Sequence, residues 1–240
     1  MSNLRQLCTG WKMYSGDNQD LLAPNGDESQ QPANLSDPSY PQWCPGRQDL
    51  YTELSPSYSL ANVGGQWIRK GLIYPYVANT AVYLCPADTS SLPVAGTQYP
   101  HVRSMSMNTW LSPIKPWNNT TTVVSYYTEA SLIKPGPANL WVFIDENPVG
   151  INDGSFVCLP GSPNWIDCPA SYHNTAGGMV FGDGHAEIHK WRDGTVLQGF
   201  AAKVMANGGY GNPNFIQVPP AQSPPTDLNW LQSVSTIFVN

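Results

Sequence analysis

The sequence predicts an α+β fold in which one N-terminal helix packs on an antiparallel β-sheet. Three observations support this class: helical spacing of apolar residues at the start, strand-like segments later, and a hairpin signal near residue 183. Separation of the helix from the strands along the chain is typical of α+β proteins. We expect a single domain over residues 1–240, with long irregular loops between its elements.

The first element is a helix from residue 3 to about residue 15. Its apolar residues recur at spacings of three and four, as on the buried face of an amphipathic helix. They are Leu4, Leu7, Cys8, Trp11 and Tyr14. Only Ser2 could cap a helix that starts so early, and we interpret Met1 and Ser2 as residues introduced by cloning. We therefore expect the natural chain to continue upstream of Asn3.

The next part of the chain has weaker signals. Residues 15–60 are polar and rich in turn formers, which predicts an extended surface loop. The aromatic segment 65–77 predicts a short helix broken at Pro75, and the segment ending at Cys85 predicts a strand.

The strongest strand signals follow residue 100. Residues 101–111 alternate, and the apolar run from Leu140 to Ile144 predicts a central strand. Residues 178–182 and 185–191 flank Asp183 and Gly184, which predicts a hairpin that joins the same sheet. Residues 206–240 form a predicted C-terminal tail rich in Pro and Gly.

The composition excludes some partners and favours a loop-rich protein. A net charge of -6, a pI near 5.0 and only 11 Lys and Arg residues argue against a nucleic-acid partner, which needs a basic patch. The charged fraction is only 12%, so we expect turns and aromatic clusters more than salt-bridged helices. The templates of the common enzymes are absent, including the G-x-S-x-G elbow, the P-loop and the dinucleotide fingerprint. We therefore favour a role without catalysis.

Five cysteines have no zinc-knuckle or redox spacing. Cys158 and Cys168 bracket a loop of turn formers, and we predict a disulfide between them that stabilises by about 2–3 kcal/mol. Cys44 and Cys85 could form a second bridge. Five cysteines in a chain with few charges suggest an exported, oxidising setting.

The hairpin is a candidate metal site, but we favour a structural role and expect no metal or other cofactor. His185, Glu187 and His189 share one strand face, whereas zinc ligands usually come from a helix or from separate segments. We expect His173 to hydrogen-bond locally, Asp183 to cap the turn, and Gly184 to adopt a positive φ. A Ca²⁺ ion is the alternative, bound at residues 17–20 or 152–154, although neither loop matches an EF-hand.

A carbohydrate role is the second hypothesis. Asp145 and Glu146 follow a buried strand and could be the carboxylates of a glycoside hydrolase, or Asp145 could simply accept backbone hydrogen bonds there. Five tryptophans in or beside loops could stack on sugars or fill cores and loop hinges. They are Trp43, Trp67, Trp110, Trp117 and Trp165.

Several segments together resemble bacterial type II secretion pseudopilins of the group whose prepilin-type domain carries His, nine residues and Asp-Gly. Here that motif is His173, residues 174–182, and Asp183-Gly184. The other similar segments are NLRQLCTGWKMYSGDNQDLLAP at 3–24, YLCPAD at 83–88, RSMSMN at 103–108, FIDENPVGINDGSF at 143–156 and DLNWLQ at 227–232. The resemblance runs over nearly the whole chain.

The resemblance implies a type IV pilin-like fold and a structural role in an export filament. Its partners would be other pseudopilin subunits and the secretion machinery, and polysaccharide remains a partner under the carbohydrate hypothesis. The missing upstream part would hold a cleaved leader and an apolar helix that anchors the subunit in the membrane. The full-length protein would then be extracytoplasmic, either anchored at the inner membrane or periplasmic.

Overall fold

The computed structural model of the chain describes residues 1–49, 56–193, 196 and 226–239. At its centre is a five-stranded sheet with the spatial order β5-β3-β4-β6-β7. The strands are β3 (Met105–Asn108), β4 (Trp141–Asp145), β5 (Ser155–Phe156), β6 (Ala176–Phe181) and β7 (Ala186–Lys190). All neighbouring strands pair antiparallel except β3 and β5, which are parallel. The predicted α+β class is confirmed, but the sheet is mixed and not purely antiparallel.

Helix α1 (Ser2–Asp17) packs on β4 and β6, as its spacing predicts. Its buried face consists largely of the predicted apolar positions, including Leu4, Leu7 and Trp11. The contact is close because β6 has a glycine there. A Cβ on Gly178 would lie only 2.8 Å from Leu4 Cδ1.

The opposite side of the sheet holds a second apolar cluster. Trp141 and Ile144 of β4 belong to it, while Val142 and Phe143 belong to the cluster beneath α1. Burial on both sides explains why β4 is a continuous apolar run. Helix α5 (Thr226–Ser233) covers this side with Leu228 and Leu231.

The predicted C-terminal tail thus includes a core helix. Within 206–240, residues 206–225 lie outside the described residues, and so does residue 240. The described part begins with α5, whose two buried leucines have the i, i+3 spacing of one helix face.

The remaining elements correct two local predictions. They include α2 (Pro56–Val63), α3 (Gln66–Lys70), α4 (Tyr74–Val77), a 3-10 helix (Thr80–Tyr83), β1 (Ser91–Val94) and β2 (Thr97–Pro100). The helix break falls at Gly71, where a Cβ would lie 2.2 Å from Trp43 O, and not at Pro75. Pro75 instead lies in the first turn of α4, where no N–H is needed. The segment before Cys85 is the 3-10 helix and not a strand.

The segment 15–60, predicted to run over the surface, includes residues 50–55, which lie outside the described residues. Much of its described part is buried, so the prediction is wrong there. Leu22, Ala23, Trp43 and Cys44 are fully or almost fully buried in the cluster beneath α1. In the described part of the chain, no helix is both long and apolar enough to span a bilayer, which needs about 20 residues.

Candidate functional site

Three side chains from distant segments converge beside the sheet. Cys85 follows the 3-10 helix, Asp145 ends β4, and His173 lies in the loop before β6. His173 Nε2 is 3.2 Å from Cys85 Sγ and 3.7 Å from Asp145 Oδ2. The three ligand atoms all lie within 4.8 Å of one another, so this cluster could hold a metal ion.

Two members of the cluster are buried, and the third is partly exposed. Cys85 and Asp145 are 3% and 1% exposed, whereas the His173 side chain is 30% exposed. Asp145 Oδ2 accepts a hydrogen bond from the Gly178 N–H at 3.0 Å, which holds the carboxylate toward β6. Asp145 Oδ1 is buried and has no hydrogen-bond partner among the described residues. An unpaired buried carboxylate oxygen is costly unless a proton or a cation compensates it.

Burial disfavours negative charge on both acidic members of the cluster. It raises the pKa of Asp145 to about 6, against the opposing effect of the Gly178 hydrogen bond. It also raises the pKa of the Cys85 thiol to about 11. Without a cation, the thiol is therefore protonated near neutral pH and is not an activated nucleophile.

The sequence patterns do not predict this cluster. The possible bridge from Cys85 to Cys44 and the predicted Cys158–Cys168 bridge are both absent, because all five cysteines, each in the described part of the chain, are free and buried. One sequence signal could have grouped them: Cys85, Asp145 and His173 each lie in a segment that the sequence analysis singled out as a motif. Their long separations in sequence concealed their proximity in space.

The motif of His173, Asp183 and Gly184 does not form one clamp. Its two halves lie at opposite ends of β6, a strand of six residues that spans about 20 Å. The His173 side chain contacts Cys85 and Asp145, so the expected local hydrogen bond of the imidazole is wrong. The backbone N–H of His173 does bond locally, to Ala176 O at 2.9 Å.

The hairpin turn itself is as predicted. Asp183 Oδ1 accepts a hydrogen bond from the His185 N–H at 3.0 Å, and Gly184 has φ +93°.

The two histidines of β7 and its turn have separate partners. His185 stacks on Phe181, and His189 stacks on Trp230 with ring centroids 3.8 Å apart. Ile188 of β7 is 48% exposed.

Alanine at Gly184 and alanine at Gly16 should have opposite effects on stability. Neither added Cβ meets an atom within 4 Å, so the two changes differ mainly in backbone conformation. Gly184→Ala should lower the free energy of unfolding by about 1 kcal/mol because φ is positive there. Gly16→Ala, in α1, should raise it by up to about 1 kcal/mol. Urea denaturation measures both, and equal effects would contradict the assigned turn conformation.

Most tryptophans predicted to stack on sugars are in the core. Trp43, Trp67, Trp110 and Trp165 are at most 2% exposed, so they cannot contact a glycan from solvent. Two of their indole N–H groups are satisfied by buried carbonyls, Trp43 by Gly154 and Trp110 by Cys158. Of the five, Trp117 alone is partly exposed.

Glu146 and Asp145 belong to different polar clusters. Glu146 is fully buried and accepts a short hydrogen bond from the Ser106 hydroxyl, which also accepts from Arg103 Nη1 at 3.1 Å. Burial raises the pKa of Glu146, and the nearby Asp167 raises it further. The two carboxylates predicted for hydrolysis are thus held by separate networks.

A cleft of about 320 Å³ opens near this second cluster. Trp117 lines it, together with the carboxylates Asp27, Glu28, Asp153 and Asp167. It includes part of one candidate Ca²⁺ loop, because Asn152 and Asp153 are lining residues. In the other candidate loop, Asp20 Oδ2 accepts a hydrogen bond from the Ala130 N–H.

Comparison of the chain with protein-family models, curated proteins and solved structures gives no match.

Proposed function

We propose that the chain is the globular part of a pseudopilin-like subunit of a type II secretion or type IV pilus-like filament. The observation that carries the proposal is the packing of α1 on β4, the central strand of the sheet, and on its neighbour β6. This is the arrangement that the resemblance implies for a type IV pilin-like fold. The other face of α1 leaves Arg5, Thr9 and Met13 exposed.

The convergence of motif residues adds support. Three segments that carry the resemblance, at 83–88, 143–156 and 173–184, contribute the side chains of one cluster. Motifs that meet at one place can hold the fold together there. Such a structural role suits a filament subunit, which requires no catalytic residue.

Membrane fractionation of the full-length gene product tests the proposal. We expect an apolar segment upstream of Asn3, cleavage by a prepilin peptidase, and recovery in the membrane fraction. A chain that begins at Asn3 is the control and should not cofractionate with membranes. A natural sequence without an upstream apolar segment would contradict the proposal.

Site-directed cross-linking tests assembly. In a filament built around bundled helices, the exposed face of α1 meets a neighbouring subunit, so Met13→Cys in the full-length protein should form cross-linked oligomers. Ile188→Cys on β7 is the matched control, because both residues are about half exposed, at 51% and 48%. Cross-linking that is equal at the two positions would contradict assembly through α1.

Glycan binding is a second candidate function, and the cleft beside Trp117 is the observation that favours it. A partly exposed indole beside carboxylates can stack on a sugar ring while the carboxylates accept its hydroxyl hydrogen bonds. Asp145 and Glu146 are not among the lining residues, so binding is better supported than hydrolysis by that pair.

Affinity electrophoresis on a panel of polysaccharides tests this second candidate. Trp117→Ala should abolish the retardation of the protein in a gel that contains the glycan. Trp230→Ala should still be retarded, because Trp230 stacks on His189 and does not line the cleft. Loss of hydrolysis of any panel member in Glu146→Gln would instead favour an enzyme. If no glycan of the panel retards the unmodified protein, glycan binding is contradicted.

A further inference from the structure

We propose that Cys85, Asp145 and His173 bind one zinc-like divalent transition-metal ion, which ties the loop before β6 to the end of β4. The ligand atoms would be Sγ, Oδ2 and Nε2, which already lie within 4.8 Å of one another. In a tetrahedral zinc site, ligand atoms lie about 3.3–3.6 Å apart, as bond lengths of about 2.0–2.3 Å require. The two measured separations, 3.2 and 3.7 Å, need little adjustment to meet this.

The geometry distinguishes a metal site from a nucleophile–histidine–carboxylate relay. A relay uses both ring nitrogens, because one contacts the nucleophile and the other contacts the carboxylate. Here the thiol and the carboxylate both approach Nε2 of His173. Three ligand atoms within 4.8 Å of one another suit a shared ion better than a proton path.

The donor set indicates the class of metal. Thiolate, imidazole and carboxylate together suit zinc and similar borderline ions, whereas Ca²⁺ and Mg²⁺ prefer sites made only of oxygen. The buried Asp145 has one carboxylate oxygen without a hydrogen-bond partner in the described part of the chain, and a cation nearby would offset the cost of burying it. With three protein ligands and a partly exposed histidine, water would complete the coordination.

Metal titration of the purified chain, first stripped with a chelator, tests the proposal. One equivalent of Zn²⁺ should bind and raise the midpoint of thermal unfolding by about 5–10 °C. Co²⁺ in place of Zn²⁺ should give a thiolate-to-cobalt charge-transfer band in the near ultraviolet. Cys85→Ser should abolish this band, because the new side chain has no sulfur.

The histidine variants separate this site from the hairpin. His173→Ala should weaken Zn²⁺ binding by more than about 100-fold, since a direct ligand matters at least as much as its supporting residues. His185→Ala is the control and should bind Zn²⁺ like the unmodified chain, because His185 contacts Asp183 and Phe181. The proposal is overturned if His173→Ala binds normally, if His185→Ala abolishes binding, or if Co²⁺ gives no thiolate band. Circular dichroism of each metal-free variant shows whether it is folded. If His173→Ala is unfolded, Asp145→Asn replaces it: weakened Zn²⁺ binding is then expected, and normal Zn²⁺ binding would overturn the proposal.

Discussion

Arg103→Met should lower the free energy of unfolding by about 3–5 kcal/mol, the loss typical of removing one partner from a buried ionic network. Arg103 is 1% exposed, and its Nη2 donates to Gly46 O at 3.1 Å and to Asp153 O at 2.6 Å. Methionine preserves much of the side-chain volume but donates no hydrogen bond. Buried carbonyl oxygens would then lack their partners, and each unmet group costs about 1–3 kcal/mol.

The charge of Arg103 has a second effect. It lies near Glu146 and Asp153 and favours their ionised forms, against the burial that raises the pKa of each carboxyl. Its removal therefore takes a favourable positive charge away from two buried acidic groups.

Urea denaturation at neutral pH measures the loss, and Arg5→Met is the matched control. Arg5 is an exposed residue of α1, so its replacement should change the free energy of unfolding by less than about 0.5 kcal/mol. Equal stability of the two variants would show that the buried guanidinium network contributes little.

The metal-free protein should become less stable as pH rises from about 4 to about 7. Burial raises the pKa of Asp167 from 3.8 to about 7, opposed by its hydrogen bond from the Val157 N–H and assisted by Glu28. Between these two values the folded chain retains a proton that the unfolded chain has released. Stability is therefore fully present below the unfolded pKa and is lost as pH rises through the folded pKa. Asp167 therefore contributes a loss of stability over this interval, since each pH unit costs about 1.4 kcal/mol for a proton that only the folded chain retains.

Asp167→Asn should reduce this slope of stability against pH. The asparagine amide is neutral throughout, and its oxygen can still accept the hydrogen bond that Val157 N donates to Asp167 Oδ2 at 2.6 Å. Asp37→Asn is the control: hydrogen bonds from the backbone of Ala33 and from Ser39 lower the pKa of this carboxyl, the opposite direction to the shift of Asp167. Urea denaturation at a series of pH values gives each slope, and an unchanged slope in Asp167→Asn would contradict the assignment.

Local patterns predicted the elements that depend on short-range physics. The spacing of Leu4, Leu7 and Trp11 predicted α1 because a helix places residues three and four apart on one face. The apolar run that became β4 predicted a strand buried on both sides. Gly184 predicted the turn because few other residues accept its positive φ.

Aromatic burial could not be predicted in the same way. Trp43 and Trp165 lie in segments with no helical or strand period, so nothing in the local sequence indicates which side of the loop faces the core. Their burial depends on what packs over them: Trp43 stacks on Tyr83, and Trp165 meets Trp191 edge to face. A loop of polar composition can therefore carry core residues.

The sequence by itself determined the α+β class, the first helix, the central strand and the hairpin turn, because periodicity and turn chemistry act over a few residues. Only the tertiary structure decided which side chains share a site. Cys85 and His173 are 88 residues apart in the chain yet 3.2 Å apart in space. The 3-10 helix before Cys85, the order of strands in the sheet and the loop before β6 bring them together, and no short-range pattern encodes that combination.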